Sequence, residues 1–384
     1  MFSTQNTKLV LHSDGIFTRY SASTNFGNED SQSDLITFLS IAQKCNVDFL
    51  PITWQPALGT LGKGGSGTIS QSTFSTEMPL AFKRFHVDED PSSRESDSDF
   101  LPLISEVLIL SQPSIQSHPN IVNLEGICWE IKRITENAVP VLVFEKAAWD
   151  LQQFMNSREG MDMSIDDRLK ICADIGCAVM ALHTYGLLFK MIFTFGGVSD
   201  MDTGVIHGDI KPQNMLVFKD ATGKTTVKVA DFGYSTMSVS TDKTLAGDET
   251  PTADEAAKIF LPKSRPWNAP EHHFGQFTVT EAKKADVYSF GMLCLWVLFG
   301  SANIPRTSTE YLFDASTGPR TTLEQLKYDD KVEHIANQYM ESMPGLNVEC
   351  RMRLQEFFSL TVLLDPEKRA SDLGQLVHLF NQEQ

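Results

Sequence analysis

Three glycines early in the sequence have a spacing that suits a phosphate-binding turn. Gly62, Gly64 and Gly67 follow the pattern G-x-G-x-x-G, in which bare backbone can approach phosphate oxygens closely. A dinucleotide-binding fold needs a helix after the third glycine, but Thr68–Phe74 is β-branched and strand-like. A Walker A loop is excluded too, because Ala57 stands where that motif begins with glycine. Such glycines also serve ordinary tight turns; here they predict a glycine-tipped hairpin.

A lysine within an apolar run is the second candidate for chemistry. Lys83 lies in the strand-like segment Leu80–Phe85, where an ammonium group is costly unless a carboxylate pairs with it. The next segment, Phe100–Ser111, has apolar residues at helical spacing and carries Glu106 as the obvious partner. A carboxylate held there would aim the lysine at a phosphate group. The alternative is a surface lysine and a glutamate on a solvated helix face.

Further carboxylate and amide side chains are concentrated in two blocks, Val205–Val217 and Val227–Gly233. The first block contains the pattern D-x-K-x-x-N from Asp209 to Asn214, and the second contains Asp231 directly before Phe-Gly. Aspartate and asparagine offer the hard oxygen ligands that magnesium prefers. Together the two blocks resemble the catalytic loop and the DFG magnesium motif of protein kinases.

The resemblance to protein kinases extends over most of the chain, from about residue 55 to residue 380. Matching segments include Ala269–Glu271, whose surroundings are similar to kinases of filamentous fungi, Asp286–Gly291 and Arg369. Lys211, two residues after Asp209, is the serine/threonine form of the family. The resemblance implies an α+β, two-lobed protein kinase fold. A small β-rich N-lobe and a larger, mainly helical C-lobe would hold the ATP site in the cleft between them.

The elements that must position these residues divide the chain into three expected parts. Several helices are predicted from apolar spacing: Asp34–Cys45, a helix that begins at Ser164, and the buried helix Asp286–Phe299, which is apolar on nearly every face. The expected parts are a partly disordered N-terminal extension at 1–53, the kinase N-lobe at 54–146 and the kinase C-lobe at 147–384.

The resemblance implies a role for each matched residue. Asp209 would orient the substrate hydroxyl, Lys211 would lie over the transferred phosphate, and Lys83, aimed by Glu106, would hold the α- and β-phosphates of ATP. The metal ligands for Mg²⁺ would be Asn214 and Asp231. The ATP-binding residues would be Leu61, Gly62, Lys63, Gly64, Gly65, Ser66, Gly67, Ile69, Ala81, Lys83, Glu145, Ala147 and Leu216, with Phe144 as gatekeeper.

Other matched residues are expected to have structural roles. Glu271 and Arg369 would form a buried ion pair, and Asp286 would bind the backbone of the catalytic loop. One position departs from the family: Gly208 stands where an arginine commonly holds a phosphorylated activation loop. Control by phosphorylation of that loop is therefore not expected.

Two alternatives compete with an active protein kinase. His-Gly-Asp before a distant asparagine is also typical of small-molecule kinases of the choline and aminoglycoside kind, although Lys211 and Arg369 are not expected in those enzymes. A catalytically dead pseudokinase that serves as an ATP-binding scaffold is the other alternative, and filled catalytic positions do not distinguish it.

The composition narrows the partners and the compartment. The formal net charge of −17 among 384 residues argues against nucleic acid and anionic membranes as partners. Six cysteines without C-x-x-C spacing, no apolar run long enough to span a bilayer and no visible secretory signal favour an intracellular, cytoplasmic or nuclear protein. The expected partners are ATP and protein substrates that present serine or threonine.

Two further interpretations concern histidines and an unusual insertion. His118 is expected in a turn, His183 in the core and the pair His272–His273 at the surface, without metal spacing. The apolar stretch Leu187–Thr203 interrupts a connection that is short in the family. It is either a packed insert, a surface loop for a partner or translated intron sequence, and the intron interpretation is favoured.

Overall fold

The computed structural model describes residues 7–11, 17–21, 35–54, 60–63, 68–71, 79–84, 100–131, 138–185, 204–238, 259–300, 320–343 and 345–380. The chain forms two compact units, 1–148 with 230–237, and 149–229 with 238–384. The predictions for Gly64–Gly67 and Leu187–Thr203 lie outside the described residues.

The first unit is built on a six-stranded sheet. Its strand order is β3-β7-β8-β6-β5-β4, and the expected hairpin β4–β5 is present, with Lys63 opposite Thr68. A separate antiparallel pair, β1–β2, precedes it. The elements of this unit are β1 (Thr7–Leu11), β2 (Phe17–Ser21), α1 (Leu35–Lys44), β3 (Phe49–Trp54), β4 (Thr60–Lys63), β5 (Thr68–Gln71), β6 (Leu80–Arg84), α2 (Leu101–Leu110), α3 (Pro113–Gln116), β7 (Leu124–Glu130) and β8 (Val139–Glu145).

Alternation along strand β6 separates the core of the sheet from the candidate site. Phe82 packs into a buried cluster with Cys128, Val141 and Val143, and its neighbour Lys83 faces the other side because side chains alternate along a strand. Helix α2 buries apolar residues on most of its surface together with Glu106. The helix predicted at Phe100–Ser111 is thereby confirmed.

Residues 35–54 contribute to the same unit. The helix predicted at Asp34–Cys45 is present as α1, and strand β3 pairs in parallel with β7 at one edge of the sheet. The boundary after residue 53 stays a prediction, although these residues form a regular helix and strand.

The second unit is mainly helical. Its elements are β9 (Trp149–Asp150), α4 (Leu151–Met155), α5 (Arg158–Met161), α6 (Ile165–Thr184), β10 (Gly204–Ile206), β11 (Met215–Lys219), β12 (Thr225–Val229), α7 (Val279–Phe299), α8 (Arg320–Tyr328), α9 (Val332–Ser342), α10 (Val348–Thr361) and α11 (Leu373–His378), with 3₁₀ turns at Pro212–Asn214, Pro270–Phe274 and Pro366–Lys368. Strands β12, β11 and β9 form a small antiparallel sheet. Strand β13 (Thr236–Ser238) contains the residues at which the chain leaves the first unit.

Local hydrogen bonds explain where the two longest helices of this unit begin. Ser164 caps α6, because its Oγ accepts a hydrogen bond of 3.1 Å from Asp167 N. Thr278 and Glu281 form a reciprocal capping box at the start of α7. Helix α7 is buried along nearly its whole length, as expected for Asp286–Phe299.

The observed architecture is therefore α+β, with a β-sheet N-lobe and a helical C-lobe. Within the described part of the chain, no helix has the length and apolarity needed to cross a membrane.

Candidate active site

A buried lysine with two carboxylate partners is the first part of the site. Lys83 Nζ lies 2.8 Å from both carboxylate oxygens of Glu106 and 2.7 Å from Asp231 Oδ1. Sequence reasoning expected the Glu106 pair but not the Asp231 contact. The side chains of Lys83 and Glu106 are 5% and 1% exposed, and that of Asp231 is 22% exposed. Asp231 is thus the member of the group that solvent, or a bound cation, can reach.

The protonation of this cluster follows from burial and charge. Burial opposes the ammonium, but the carboxylates of Asp231 and Glu106 outweigh it and raise the pKa of Lys83. Burial raises the pKa of Glu106, and Lys83 opposes that shift. One ammonium therefore faces two carboxylates. Of the two carboxylates, that of Asp231 is the more accessible to a cation.

Helix α2 also holds the segment that carries Asp231. Phe232 N donates a hydrogen bond of 3.2 Å to Glu106 Oε1, and Ser105 Oγ donates one of 2.8 Å to Ser235 O. Asp231 has a φ of 65°, a left-handed conformation that aspartate tolerates better than most residues. Two successive residues of α2 thus fix the conformation of this segment.

In the second unit, the Asp209 side chain is at the centre of a hydrogen-bond network. Lys211 Nζ lies 2.5 Å from Asp209 Oδ2, and Asn214 Nδ2 donates to Asp209 O at 2.8 Å and to Oδ2 at 3.0 Å. Ser264 Oγ donates to the other carboxylate oxygen. These bonds fix the carboxylate orientation, and they leave the amide oxygen of Asn214 as the end that can bind a cation.

Asp286 holds the backbone of the loop that leads to Asp209, as expected. Its carboxylate accepts hydrogen bonds from His207 N at 2.8 Å and Gly208 N at 2.9 Å. His183 Nε2 lies 3.0 Å from the same carboxylate. Gly208 has a φ of 78°, which glycine adopts without strain. Glycine, which stands here in place of the arginine that is common in protein kinases, therefore suits the local backbone.

The expected pair of Glu271 and Arg369 is present and buried. Arg369 Nη1 and Nη2 lie 2.5 Å and 2.9 Å from the two oxygens of Glu271. The guanidinium also donates to Leu363 O at 2.8 Å and lies 4.7 Å from the centre of the Tyr288 ring. This bidentate geometry ties the segment after Ala269 to a distant part of the same unit.

Two residues near this segment were missed by sequence reasoning. Ser264 contacts Asp209, and its Oγ also accepts from Lys211 Nζ at 3.4 Å. Lys327, buried on α8, donates to Pro266 O and, at 2.9 Å, to Asn268 O. The segment from Ser264 to Asn268 is therefore held at both ends. No spacing rule could reveal these contacts, because the partners lie more than 50 residues apart in sequence.

The ATP-binding residues predicted by resemblance are distributed over both units. Ala81 and the expected gatekeeper Phe144 are buried in adjacent strands of the first unit, and Glu145 and Ala147 follow in the same unit. Leu216 lies on β11 of the second unit. The described backbone of the glycine hairpin includes Leu61, Gly62, Lys63 and Ile69, whereas Gly64, Gly65, Ser66 and Gly67 lie outside the described residues. Their role in nucleotide binding stays a prediction.

The histidine predictions are correct in two cases and wrong in one. His118 lies in the turn after α3 and His183 is buried in the core. His272 was expected at the surface, but it is buried. It lies in the 3₁₀ turn Pro270–Phe274, where its Nδ1 is 3.1 Å from Ala269 O and its ring packs against Phe277. The side chain of His273 lies outside the described residues.

Asn214 and Asp231 have the donor chemistry for Mg²⁺. Both offer hard oxygen atoms, and magnesium takes few protein ligands because phosphate oxygens and water complete its octahedron. The hydrogen bonds of Asn214 direct its amide nitrogen to Asp209, and the carboxylate of Asp231 is the partly exposed one of the two beside Lys83. The donor atoms of each residue therefore suit the ion, and their joint binding of Mg²⁺ stays a prediction.

Comparison of the sequence with known proteins finds protein kinases among its relatives. One similar protein is the calmodulin-binding receptor-like cytoplasmic kinase 2 of Arabidopsis thaliana, 27% identical over 241 residues, which cover 62% of this chain and 48% of that protein. Another is the dual specificity protein kinase shkE of Dictyostelium discoideum, 27% identical over 237 residues, which cover 61% of this chain and 26% of that protein. The chain thus spans about half or less of these relatives.

The family model described as a protein kinase domain matches residues 57–380. That range contains the candidate residues described in each unit, from Lys83 to Arg369. The chain belongs to the protein kinase family.

Proposed function

We propose that this chain transfers the γ-phosphate of Mg-ATP to serine or threonine hydroxyls of protein substrates. The observation that carries the proposal is the Asp209 carboxylate, held by Lys211 Nζ at 2.5 Å and by Asn214 Nδ2 at 3.0 Å. Phosphoryl transfer requires positioning and charge stabilisation more than covalent chemistry. A fixed carboxylate beside a fixed ammonium supplies both.

Each of these side chains has a distinct task in the proposed reaction. Asp209 accepts a hydrogen bond from the substrate hydroxyl, so that an oxygen lone pair is directed at phosphorus, and takes up its proton. Lys211 stabilises negative charge on the transferred phosphoryl group. It is also the serine/threonine form of the family motif. Ser264 contacts both residues and so holds the carboxylate and the ammonium in a fixed position relative to each other.

In this proposal, the buried ion pair of the first unit binds the phosphates of ATP. Lys83 binds the α- and β-phosphates, and Glu106 keeps its ammonium in place. Asn214 and Asp231 would hold Mg²⁺, which when bound neutralises phosphate charge. Asp231, which lies 2.7 Å from Lys83 Nζ, would then interact with the cation as well as with the lysine. Asp231 is more exposed than Glu106, which supports Asp231 as the cation ligand and Glu106 as the partner of Lys83.

The substrate class follows from chemistry and from the relatives. The negative net charge of −17 favours protein substrates with basic segments over nucleic acid. A dual specificity kinase is among the similar proteins, which makes tyrosine the alternative acceptor. An intracellular location, in the cytoplasm or nucleus, is part of the proposal.

The test is phosphoryl transfer by the purified chain with Mg-ATP labelled at the γ-phosphate. Three basic peptides identical except for serine, threonine or tyrosine at the acceptor position are compared, with choline and an aminoglycoside as small-molecule acceptors. Transfer to the serine and threonine peptides, lost in Asp209→Asn, supports the proposal. Nucleotide binding without transfer to any acceptor identifies a pseudokinase scaffold. Transfer only to small molecules would assign the chain to the other class of kinase.

A further inference from the structure

Residues 35–54 lie before the part of the chain that matches the protein kinase model, which begins at residue 57. They are nevertheless packed into the first unit as α1 and β3. We refer to residues 35–54 as the N-terminal segment. It contacts the helix that carries Glu106 and the core of the sheet that carries Lys83.

Helix α1 lies along helix α2, the helix that carries Glu106. The rings of Phe38 and Phe100 stack with centroids 5.9 Å apart at the beginning of α2. At the other end, the side chain of Ser111 lies close enough to the Cys45 thiol to oppose the upward effect of burial on its pKa. The early residue of α1 thus meets the start of α2, and the residue after α1 meets its end. The two helices run side by side in the same direction.

The contact is apolar and closely packed. Phe38 is 0% exposed, and Ile41 and Ala42 on the same face of α1 are also buried. Phe100 is the N-cap of α2 and has no side-chain capping hydrogen bond, so stacking on Phe38 takes the place of a polar cap in fixing this end. Burying a phenylalanine removes a large apolar area from water. Helix α1 therefore contributes to holding α2 in position.

A sharp turn then leads the N-terminal segment onto the sheet. Asn46 has a φ of 52°, and Val47 N donates to Ala42 O at 3.0 Å, which is a left-handed helix end. Ile127 N donates to Asp48 O at 2.8 Å. A Cβ at Gly126 would lie 2.6 Å from Asp48 O. Strand β7, inside the family match, thus has a glycine where the segment approaches.

Strand β3 completes the link between helix and sheet. Leu50 and Ile52 pack against the buried cluster that contains Phe82, the residue before Lys83 on β6. The same short segment therefore contacts α2, which positions Glu106, and the core of the sheet, which positions Lys83. Since the ion pair joins this helix to this sheet, a movement of α2 away from the sheet would lengthen the pair.

We propose that the N-terminal segment is a built-in positioning element that holds α2 against the sheet, so that Glu106 stays paired with Lys83. The proposal rests on the function proposed above only for its effect on phosphoryl transfer. Phe38 is the central positioning residue, since it is fully buried and contacts Phe100 at the start of α2.

The test compares Phe38→Ala and the milder Phe38→Leu with Ile36→Ala in the full chain. Ile36 lies on the same helix but is 72% exposed, so its variant is the matched control. Hydrogen–deuterium exchange is measured in Leu101–Leu110, with helix Val279–Phe299 as the reference for global folding. We expect at least tenfold faster exchange in Leu101–Leu110 for both Phe38 variants, with the reference helix and the Ile36 control unchanged. If Phe38→Ala unfolds the reference helix as well, Phe38→Leu decides.

A double-variant cycle tests whether the effect passes through Glu106. Phe38→Leu should lower kcat at saturating Mg-ATP at least fivefold in the wild-type background but less than twofold in Glu106→Gln, with the KM of the peptide unchanged. Unchanged exchange in Leu101–Leu110, or equal loss of kcat in both backgrounds, would overturn the proposal. Absence of transfer by the wild type would refute the proposed function alone. Hydrogen–deuterium exchange in Leu101–Leu110, together with the same double-variant cycle measured on the melting temperature, would then decide whether the segment positions α2.

Discussion

Replacing Ser264 by alanine removes a hydroxyl that contacts both charged groups of the proposed catalytic loop. Its Oγ donates to Asp209 and accepts from Lys211 Nζ at 3.4 Å. A hydrogen bond to a charged group contributes about 1.5–3 kcal/mol, and the long contact to Lys211 adds little. Ser264 is half-buried, so water replaces part of the lost bond. The expected loss is about 1.5–2 kcal/mol, or about 10- to 30-fold in kcat/KM.

The assay is steady-state phosphorylation of the best peptide acceptor, with Ser264→Thr as the matched control because it keeps the hydroxyl. We expect Ser264→Thr to retain most of the activity, and nucleotide affinity and melting temperature to change little in either variant. A kcat/KM for Ser264→Ala within twofold of the wild type would show that the hydroxyl does not orient Asp209. Equal losses in the alanine and threonine variants would show that packing, not hydrogen bonding, is responsible.

Asp209→Asn should lower kcat by about 10²- to 10⁴-fold with the fold retained, because the carboxylate is the proposed base; peptide phosphorylation and circular dichroism check both points. Since burial raises the pKa of Glu106, lowering the pH protonates it earlier than an exposed glutamate. Activity should then fall at mildly acidic pH, and a profile of identical shape in Glu106→Gln would contradict this. Arg369→Met leaves the carboxylate of Glu271 buried without its partner and should destabilise the protein by about 3–5 kcal/mol; in denaturant unfolding, adding Glu271→Gln should recover part of that loss. Because Gly208 offers no cation, phosphatase treatment should leave activity nearly unchanged, and a tenfold drop would refute that reasoning.

The sequence predicted those features whose physical cause lies in the residue itself or its near neighbours. Lys83 in an apolar strand required a carboxylate, and Glu106 on the next helix supplies it. Ser164 before two aspartates predicted a helix start, and its hydroxyl caps α6. The contact of Asp286 with the backbone of the catalytic loop was predicted from the family motif rather than from any local rule, and the structure contains it.

The features that were missed depend on distant parts of the chain. Ser264 has no neighbour in sequence that reveals its bond to Asp209, which lies 55 positions earlier. Lys327 resembles any lysine of an amphipathic helix until its burial is known. His272 was expected at the surface, but packing against Phe277 buries it. Helix α1 was predicted, whereas its packing along α2 was not.

The ion pair between Glu271 and Arg369 has a consequence for how the protein is made. The two residues are 98 positions apart. At about 5–20 residues per second of synthesis, Glu271 leaves the ribosome about 5–20 s before its partner. During that time its carboxylate has no guanidinium, and burying it alone would be unfavourable. The helical unit therefore cannot close around Ala269–Glu271 until Arg369 has emerged. A chain interrupted before Arg369 would therefore leave Glu271 without its buried partner and would keep this segment exposed.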